Sequence, residues 1–156
     1  MAGVLIDNRL LVDSDELVAK WVYTTYKLFP IPVNKAIGIV NKQGTLVGGV
    51  LFQNYNGVNV EFSYYGPRTV TYGICKVIAR IAIGHFNAAR LTVVTSRRNK
   101  RLIRGLLRLG FKLEGVQRCF YGHQDNKKNS AVRLVAFKDD LAKFAYRNLP
   151  EKKDAV

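Results

Sequence analysis

Residues 90–118 read RLTVVTSRRNKRLIRGLLRLGFKLEGVQR. Leu91 to Thr95 is a short, β-branched run that reads as a strand. Asn99 carries the side chain of a helix cap. From about Arg98 to Leu109, Leu102, Ile103, Leu106 and Leu107 recur at helical spacing, and Gly110 suits the left-handed residue that closes a helix. Lys112 to Tyr121 returns to strand pattern and turns back across Asp125 to Asn129 onto Ser130 to Phe137. At about 100° per residue, Arg97, Arg101, Arg104 and Arg108 fall within about 60° of one another, opposite the leucines. One face of this helix is apolar and the other is a row of guanidinium groups.

Working outward toward the N-terminus, Val70, Ile74, Val77, Ile78, Ile81 and His85 mark a helix entered through Gly66-Pro67-Arg68, with His85 on its apolar, core-facing side. Three strand-like segments precede it: Ala36 to Asn41, Thr45 to Phe52 and Val58 to Tyr65. The turns between them are Lys42-Gln43-Gly44 and Asn54-Tyr55-Asn56-Gly57, which makes an antiparallel meander. An earlier helix starts at Asp13 or Ser14 as cap, with Asp15 and Glu16 suited to its positive end. Its apolar face holds Leu17, Val18, Trp21, Val22, Tyr26, Leu28 and Phe29, and Pro30 and Pro32 stop it. Val4 to Ile6 and Leu10 to Val12 are short apolar stretches. On the other side, Asp139 suits the cap of a last helix reaching Asn148. The order αβββαβαββα implies a mixed α/β layer structure, one domain over residues 1–149 with a loose tail at 150–156.

The chain has 156 residues, is 48% apolar and carries a formal charge of +14. That is enough length and apolar content for one core, and too much apolar content for disorder. No run approaches the roughly 18–20 apolar residues of a membrane span, and the N-terminus lacks a signal-peptide pattern. Two cysteines, Cys75 and Cys119, exclude a disulfide scaffold; two histidines, His85 and His123, argue against a multi-histidine metal site. The expectation is a soluble, cytoplasmic protein with no metal and no membrane partner. From Phe62 to Leu113 there are 11 basic residues and no acid. Such a block points to an anionic ligand or partner, against the alternative of a solvated face.

The run from Arg90 to Arg118 resembles the second half of the GNAT superfamily of N-acetyltransferases, near its RimJ/RimL-like branch. The strand, Asn99, the helix, Leu109-Gly110-Phe111 and then Glu114-Gly115 with Arg118 carry the resemblance. The Val47-Gly48-Gly49-Val50 strand and the order of elements fit it too, and small GNAT-like proteins of bacteriophages are similar. The resemblance implies a mixed, mostly antiparallel six- to seven-stranded sheet with helices on both faces, acetyl-coenzyme A as donor, and an amine acceptor. That acceptor is a protein N-terminus, a lysine or a small amine, with polycations less suited to so positive a region. The donor's pyrophosphate is expected at Arg68, Thr69, Val70, Thr71, Tyr72 and Gly73. A helix start offers free N–H groups and a positive dipole end there. Phe62, Ser63 and Tyr64 of the preceding strand, with Asn99, Arg101 and Arg104, complete the implied donor contacts. The family signature at that turn is Arg/Gln-x-x-Gly-x-Gly/Ala; aligned on Gly73, this chain has Val70 first and Cys75 last.

Transfer needs an unprotonated amine, and a lysine with pKa about 10.4 needs a base more than an α-amine at about 7.7–8 does. Glu61 is the only acid between Glu16 and Glu114, and it lies on the strand that commonly supplies the base in the family. It shares a face with Asn59 and Ser63, and acts as a base through water or serves as a solvent-facing or salt-bridged strand residue. The Tyr that many members place four residues before the Gly of Gly-Phe is Leu106 here. Tyr64, Tyr65, Tyr72 and Tyr121 are the replacements, with Tyr121 chosen as the general acid. Cys119, on the strand after the arginine helix, reads as a buried apolar cysteine, and His123 as a hairpin residue.

Val70, Cys75 and Leu106 also suit a catalytically degenerate GNAT-fold module, binding or structural, in a phage particle for instance. The Arg97/Arg101/Arg104/Arg108 row suits nucleic acid or an acidic partner. A monomer or homodimer is expected, in the host cytoplasm or the virion if a phage encodes it.

Overall fold

The computed structural model describes residues 4–6, 10–66 and 71–146. These divide into two compact units: residues 1–55 with 62–68, and residues 56–61 with 69–156.

In the first unit, β1 (Val4–Ile6) and β2 (Leu10–Val12) form an antiparallel pair, with Leu5 opposite Leu11. Strand β2 adds to β3 (Lys35–Val40), and β3 pairs antiparallel with β4 (Leu46–Gln53), where Ala36 faces Leu51 and Gly38 faces Gly49. The apolar stretches at 4–6 and 10–12 are thus three-residue strands. Between β2 and β3 runs α1 (Asp15–Tyr26), whose fully buried Val18 and Val22 pack with Ala36 and Leu51. Glycines let it approach. A Cβ on Gly49 would lie 2.8 Å from a Val22 methyl, and one on Gly38 would lie 3.0 Å from a Val18 methyl. Helix α1 ends earlier than the prolines require, at Lys27, which takes a left-handed conformation (φ 53°). Leu17 and Phe29, expected on the apolar face, are exposed. The β3–β4 turn is built as expected: Gly44 has φ 77°, and the Asn41 carboxamide oxygen accepts from the N–H groups of Gln43 and Thr45.

Strand β5 (Asn59–Tyr65) is shared, its first three residues belonging to the second unit and the rest to the first. In the second unit, α2 (Tyr72–Arg80) continues into a π-helical turn (Ile81–His85). Then follow β6 (Arg90–Ser96), α3 (Lys100–Arg108), β7 (Lys112–Gln117), β8 (Ala131–Phe137) and α4 (Lys138–Ala145). Strands β6 and β7 both pair antiparallel with β8. The strand order is β1-β2-β3-β4-β5 in the first unit and β5-β6-β8-β7 in the second. This is an α/β fold on mostly antiparallel strands, eight among the described residues once β1 and β2 are included. Leu91, Val93, Leu106 and Leu134 are buried in the second unit, and α4 packs on α2, where the Arg80 Nε donates to the Ala145 carbonyl at 2.9 Å.

Four expectations need correction here. His85 is exposed, because the π-helical turn inserts an extra residue (the Phe86 N–H donates to the Ile81 carbonyl) and Phe86 takes the buried place. Strand β7 stops at Gln117, so Cys119 lies beyond it with φ 53° and is exposed rather than buried. Helix α3 begins at Lys100, which leaves Arg97 in the turn before the cap. Asp139 sits inside the first turn of α4, whose cap position is Phe137. The expected end of that helix, Asn148, lies outside the described residues.

Candidate functional site

Alternation along β5 buries Val60 and Phe62 on one face and leaves Asn59, Glu61 and Ser63 partly open on the other. The two polar groups at the start of that face are held from other strands, one from the adjacent β6 and one from β8 beyond it. The Thr92 hydroxyl on β6 donates to Asn59 Oδ1 at 2.6 Å. From β8, Arg133 Nη1 donates to Glu61 Oε1 at 3.2 Å, the two side chains being 30% and 22% exposed. Arg133 stands opposite Val94 in the β6–β8 register, so its guanidinium reaches across one strand to the carboxylate. Glu61 is therefore a half-buried, ion-paired carboxylate. Nothing in its local sequence points to Arg133, 72 residues away; only the strand order brings the two together.

Two helices of the same unit begin with a side-chain cap. Thr71 Oγ1 accepts from the Ile74 N–H at 3.2 Å, and the Thr71 carbonyl accepts from the Cys75 N–H at 3.1 Å. Among the described residues, the Tyr72 and Gly73 N–H groups are left as the open donors of that turn. Gly73 is exposed, and a Cβ there would meet only Thr71 Oγ1, at 3.7 Å. Asn99 caps α3: its Oδ1 accepts from the Leu102 N–H at 3.4 Å while its Nδ2 donates to Thr95 Oγ1. Neither first turn contains an acid. Arg68, Thr69 and Val70 lie outside the described residues.

The remaining candidates are spread over the chain. In the first unit Phe62 is buried and Ser63 and Tyr64 are half-buried, with Ser63 hydrogen-bonded to Tyr65. Burial pushes the Tyr65 phenol above its ordinary pKa, against the opposing effect of that hydrogen bond. Cys75 is buried in α2, which pushes its thiol up to about 12 and keeps it protonated. Leu106, at the position of the missing tyrosine, is 1% exposed and belongs to the core. Tyr121 lies in the β7–β8 connection, half exposed, its ring edge-on to Phe120 at 4.8 Å between centroids. His123 is exposed in that same connection, as expected.

Arg97, Arg101, Arg104 and Arg108 are all exposed, and none has an ion pair among the described residues. The apolar side of α3 centres on Leu106, with Leu102 and Ile103 half-buried and Leu107 at the margin. The described residues contain no group of three His, Cys, Asp or Glu able to hold a metal, and none of their helices is long and apolar enough to cross a membrane.

No family model matches the chain, and no curated protein does. Solved structures do match. A GNAT-family acetyltransferase from Bacillus anthracis shares 13% identity at a TM-score of 0.54, over 67% of this chain and 66% of that one. A single-residue variant of the spermidine N-acetyltransferase SpeG from Vibrio cholerae gives 13% identity and a TM-score of 0.60, over 86% of this chain and 79% of that one. The Vibrio cholerae spermidine/spermine N-acetyltransferase SpeG in complex with manganese ions gives 15% and 0.57, over 86% and 78%. Together with the strand order and the antiparallel pairing, these likenesses show that the chain has the fold of the GNAT acetyltransferases.

Proposed function

We propose that this protein is an acetyl-coenzyme A-dependent N-acetyltransferase. The observation that carries the reading is the fold likeness, which extends over 86% of the chain. The start of α2 supports it. Among the described residues, two open N–H donors, no acid in the turn and only the small Thr71 hydroxyl near Gly73 suit a pyrophosphate. Thr71, Tyr72 and Gly73 would hold that group, with Arg68, Thr69 and Val70 before them. In the same unit, Asn99, Arg101 and Arg104 would meet its distal phosphate end.

Acetyl-coenzyme A supplies an acetyl group activated as a thioester. Glu61 takes the proton from the incoming ammonium through a water, and Arg133 holds Oε1 so that the carboxylate keeps one orientation. Because this base is already ion-paired, it suits an amine that needs little help. An α-amine, with pKa about 7.7–8, is partly neutral at pH 7, whereas a lysine at about 10.4 is not. A chain of charge +14 also repels a polycation. A peptide N-terminus or a small amine of low pKa is therefore the proposed acceptor. Leu106 is in the core, so the proton for the departing thiolate comes from Tyr121 or from solvent.

The buried Leu106 also favours a second reading, in which the fold binds its ligand without transfer. Titration calorimetry with acetyl-coenzyme A, followed by thiol release with an N-terminal peptide acceptor, separates the two. Binding with turnover that drops about hundredfold in Glu61→Gln supports the enzyme. Binding without turnover supports the second reading, and no binding at millimolar donor overturns both.

A further inference from the structure

The arginine row on α3 exceeds what one coenzyme A could engage. We propose that the outer face of α3, together with the β7–β8 connection, binds single-stranded nucleic acid.

The face is basic and stays so. Between Phe62 and Lys138 the chain contains only two acids, Glu114 and Asp125. Arg90 Nη2 holds Glu114 at 2.6 Å, and Arg118 forks onto both oxygens of Asp125. That contact holds the Asp125 carboxyl below its usual range, chiefly through the hydrogen bond. The guanidinium groups of Arg97, Arg101, Arg104 and Arg108 are left for an external anion. From Arg101 to Arg108 the helix rises about 10 Å, at about 1.5 Å per residue. That length lets the row follow more than one phosphate of a strand. The far end is bounded: a Cβ on Gly110 would lie 3.7 Å from Asp140 Cβ.

At the near end the basic row meets exposed aromatic rings. The Arg97 N–H donates to the Ser130 carbonyl at 2.9 Å, and the preceding residue, Asn129, accepts from the N–H groups of both Phe120 and Tyr121. Those rings are 48% and 51% exposed, and the exposed Lys127 and Lys128 form the short turn beside them. Large aromatic side chains held on a surface beside a cationic row are what unpaired bases stack on while the phosphates follow the charge. A duplex, with its bases already stacked, would use the arginines alone. The aromatic pair therefore favours a single strand over a duplex or an acidic protein.

The test is fluorescence anisotropy with a labelled oligothymidine of about 20 nucleotides and a duplex of the same length, between about 50 and 200 mM salt. Single-strand affinity should exceed duplex affinity about tenfold or more and should fall with salt at about 0.7 log units per phosphate engaged. Arg97→Ala combined with Arg108→Ala should reduce that slope by about 1.4. Phe120→Ala should weaken binding about tenfold with the slope unchanged, and Phe120→Trp should restore it; far-ultraviolet circular dichroism checks that each variant is folded. Three results overturn the proposal: no binding at about 50 mM salt, a duplex held as tightly as the single strand, or a folded Phe120→Ala variant that binds like the parent chain. Preference for an acidic peptide or heparin over the oligonucleotide also overturns it.

Discussion

Helix α1 in the first unit and helices α2 and α3 in the second begin in opposite ways. Helix α1 has Asp15 and Glu16 in its first turn, and its cap residue, Ser14, makes no side-chain cap bond. Its positive end is answered by its own charges. Helices α2 and α3 have side-chain caps and no acid in the first turn. Their caps satisfy one N–H each and leave the rest of the positive end for something else. The difference shows that capping and charge compensation are separable: α1 has the acids without a side-chain cap bond, and α2 and α3 have the side-chain caps without the acids, the arrangement that the proposed anion sites need.

The sharpest way to break this comparison is to fill the start of α2. Gly73 has room for a Cβ, so Gly73→Trp should fold normally. It should also cover the open Tyr72 and Gly73 donors and weaken acetyl-coenzyme A binding about hundredfold or more by calorimetry. A variant that binds as before would show that α2's start is not the anion site.

Glycines of the first unit should behave in the reverse manner. A Cβ on Gly48 would lie 2.9 Å from the Tyr65 carbonyl and 3.2 Å from Gly66 Cα, both backbone atoms that cannot turn aside. Gly48→Ala should therefore cost about 2 kcal/mol. That is a fall of about 4–8 °C in Tm for a chain of this size. Gly73→Ala should cost nothing and can stabilise by about 0.5 kcal/mol. Equal losses at the two positions would remove the distinction between a packing glycine and an access glycine.

The elements of both units were legible because their apolar residues recur at 3.6 or 2 and their turns carry Gly, Asn or Pro at the bends. The misses share a cause, local departures from a regular period. Strands β1 and β2 are three residues long, too short for alternation to register. The π-helical turn after Arg80 breaks the phase that placed His85 inside. The strand pattern from Lys112 runs on in the sequence after the backbone leaves the sheet, so Cys119 looked buried. At the site, Thr71, Gly73 and Asn99 announced themselves as helix-start residues. Arg133 did not, because its role depends on β8 lying two strands from β5.

The cysteines test how the inner side of α2 is held. Cys119 is exposed and Cys75 buried, so a thiol reagent at pH 8 should label one group quickly and the second only on unfolding. The sign of the pH effect follows from burial. The folded chain keeps the Cys75 proton up to about 12, while the unfolded chain loses it near the ordinary value of 9.0. The stabilisation is complete below that lower value and is lost as pH rises through the upper one. Denaturation midpoints should fall over this alkaline window in the parent chain and fall less in Cys75→Ala. Two fast thiols at pH 8 would show that α2 opens its core side under native conditions.

The smallest effects probe the charge difference itself. Removing an acid from α1 with Glu16→Gln should cost about 0.5 kcal/mol, because the exposed carboxylate no longer meets the helix dipole. Adding one to the first turn of α3 with Lys100→Glu should give the opposite sign, about 0.5 kcal/mol of added stability in denaturant titrations. The same substitution should weaken acetyl-coenzyme A and oligonucleotide binding alike, since a fixed carboxylate would occupy the field that an incoming phosphate uses. A gain in stability coupled to a loss of binding is the signature of a helix start kept uncompensated for a ligand. If Lys100→Glu instead destabilises the fold, or stabilises it with binding intact, the bare starts of α2 and α3 are no more than an absence of acids, and the contrast with α1 has no functional content.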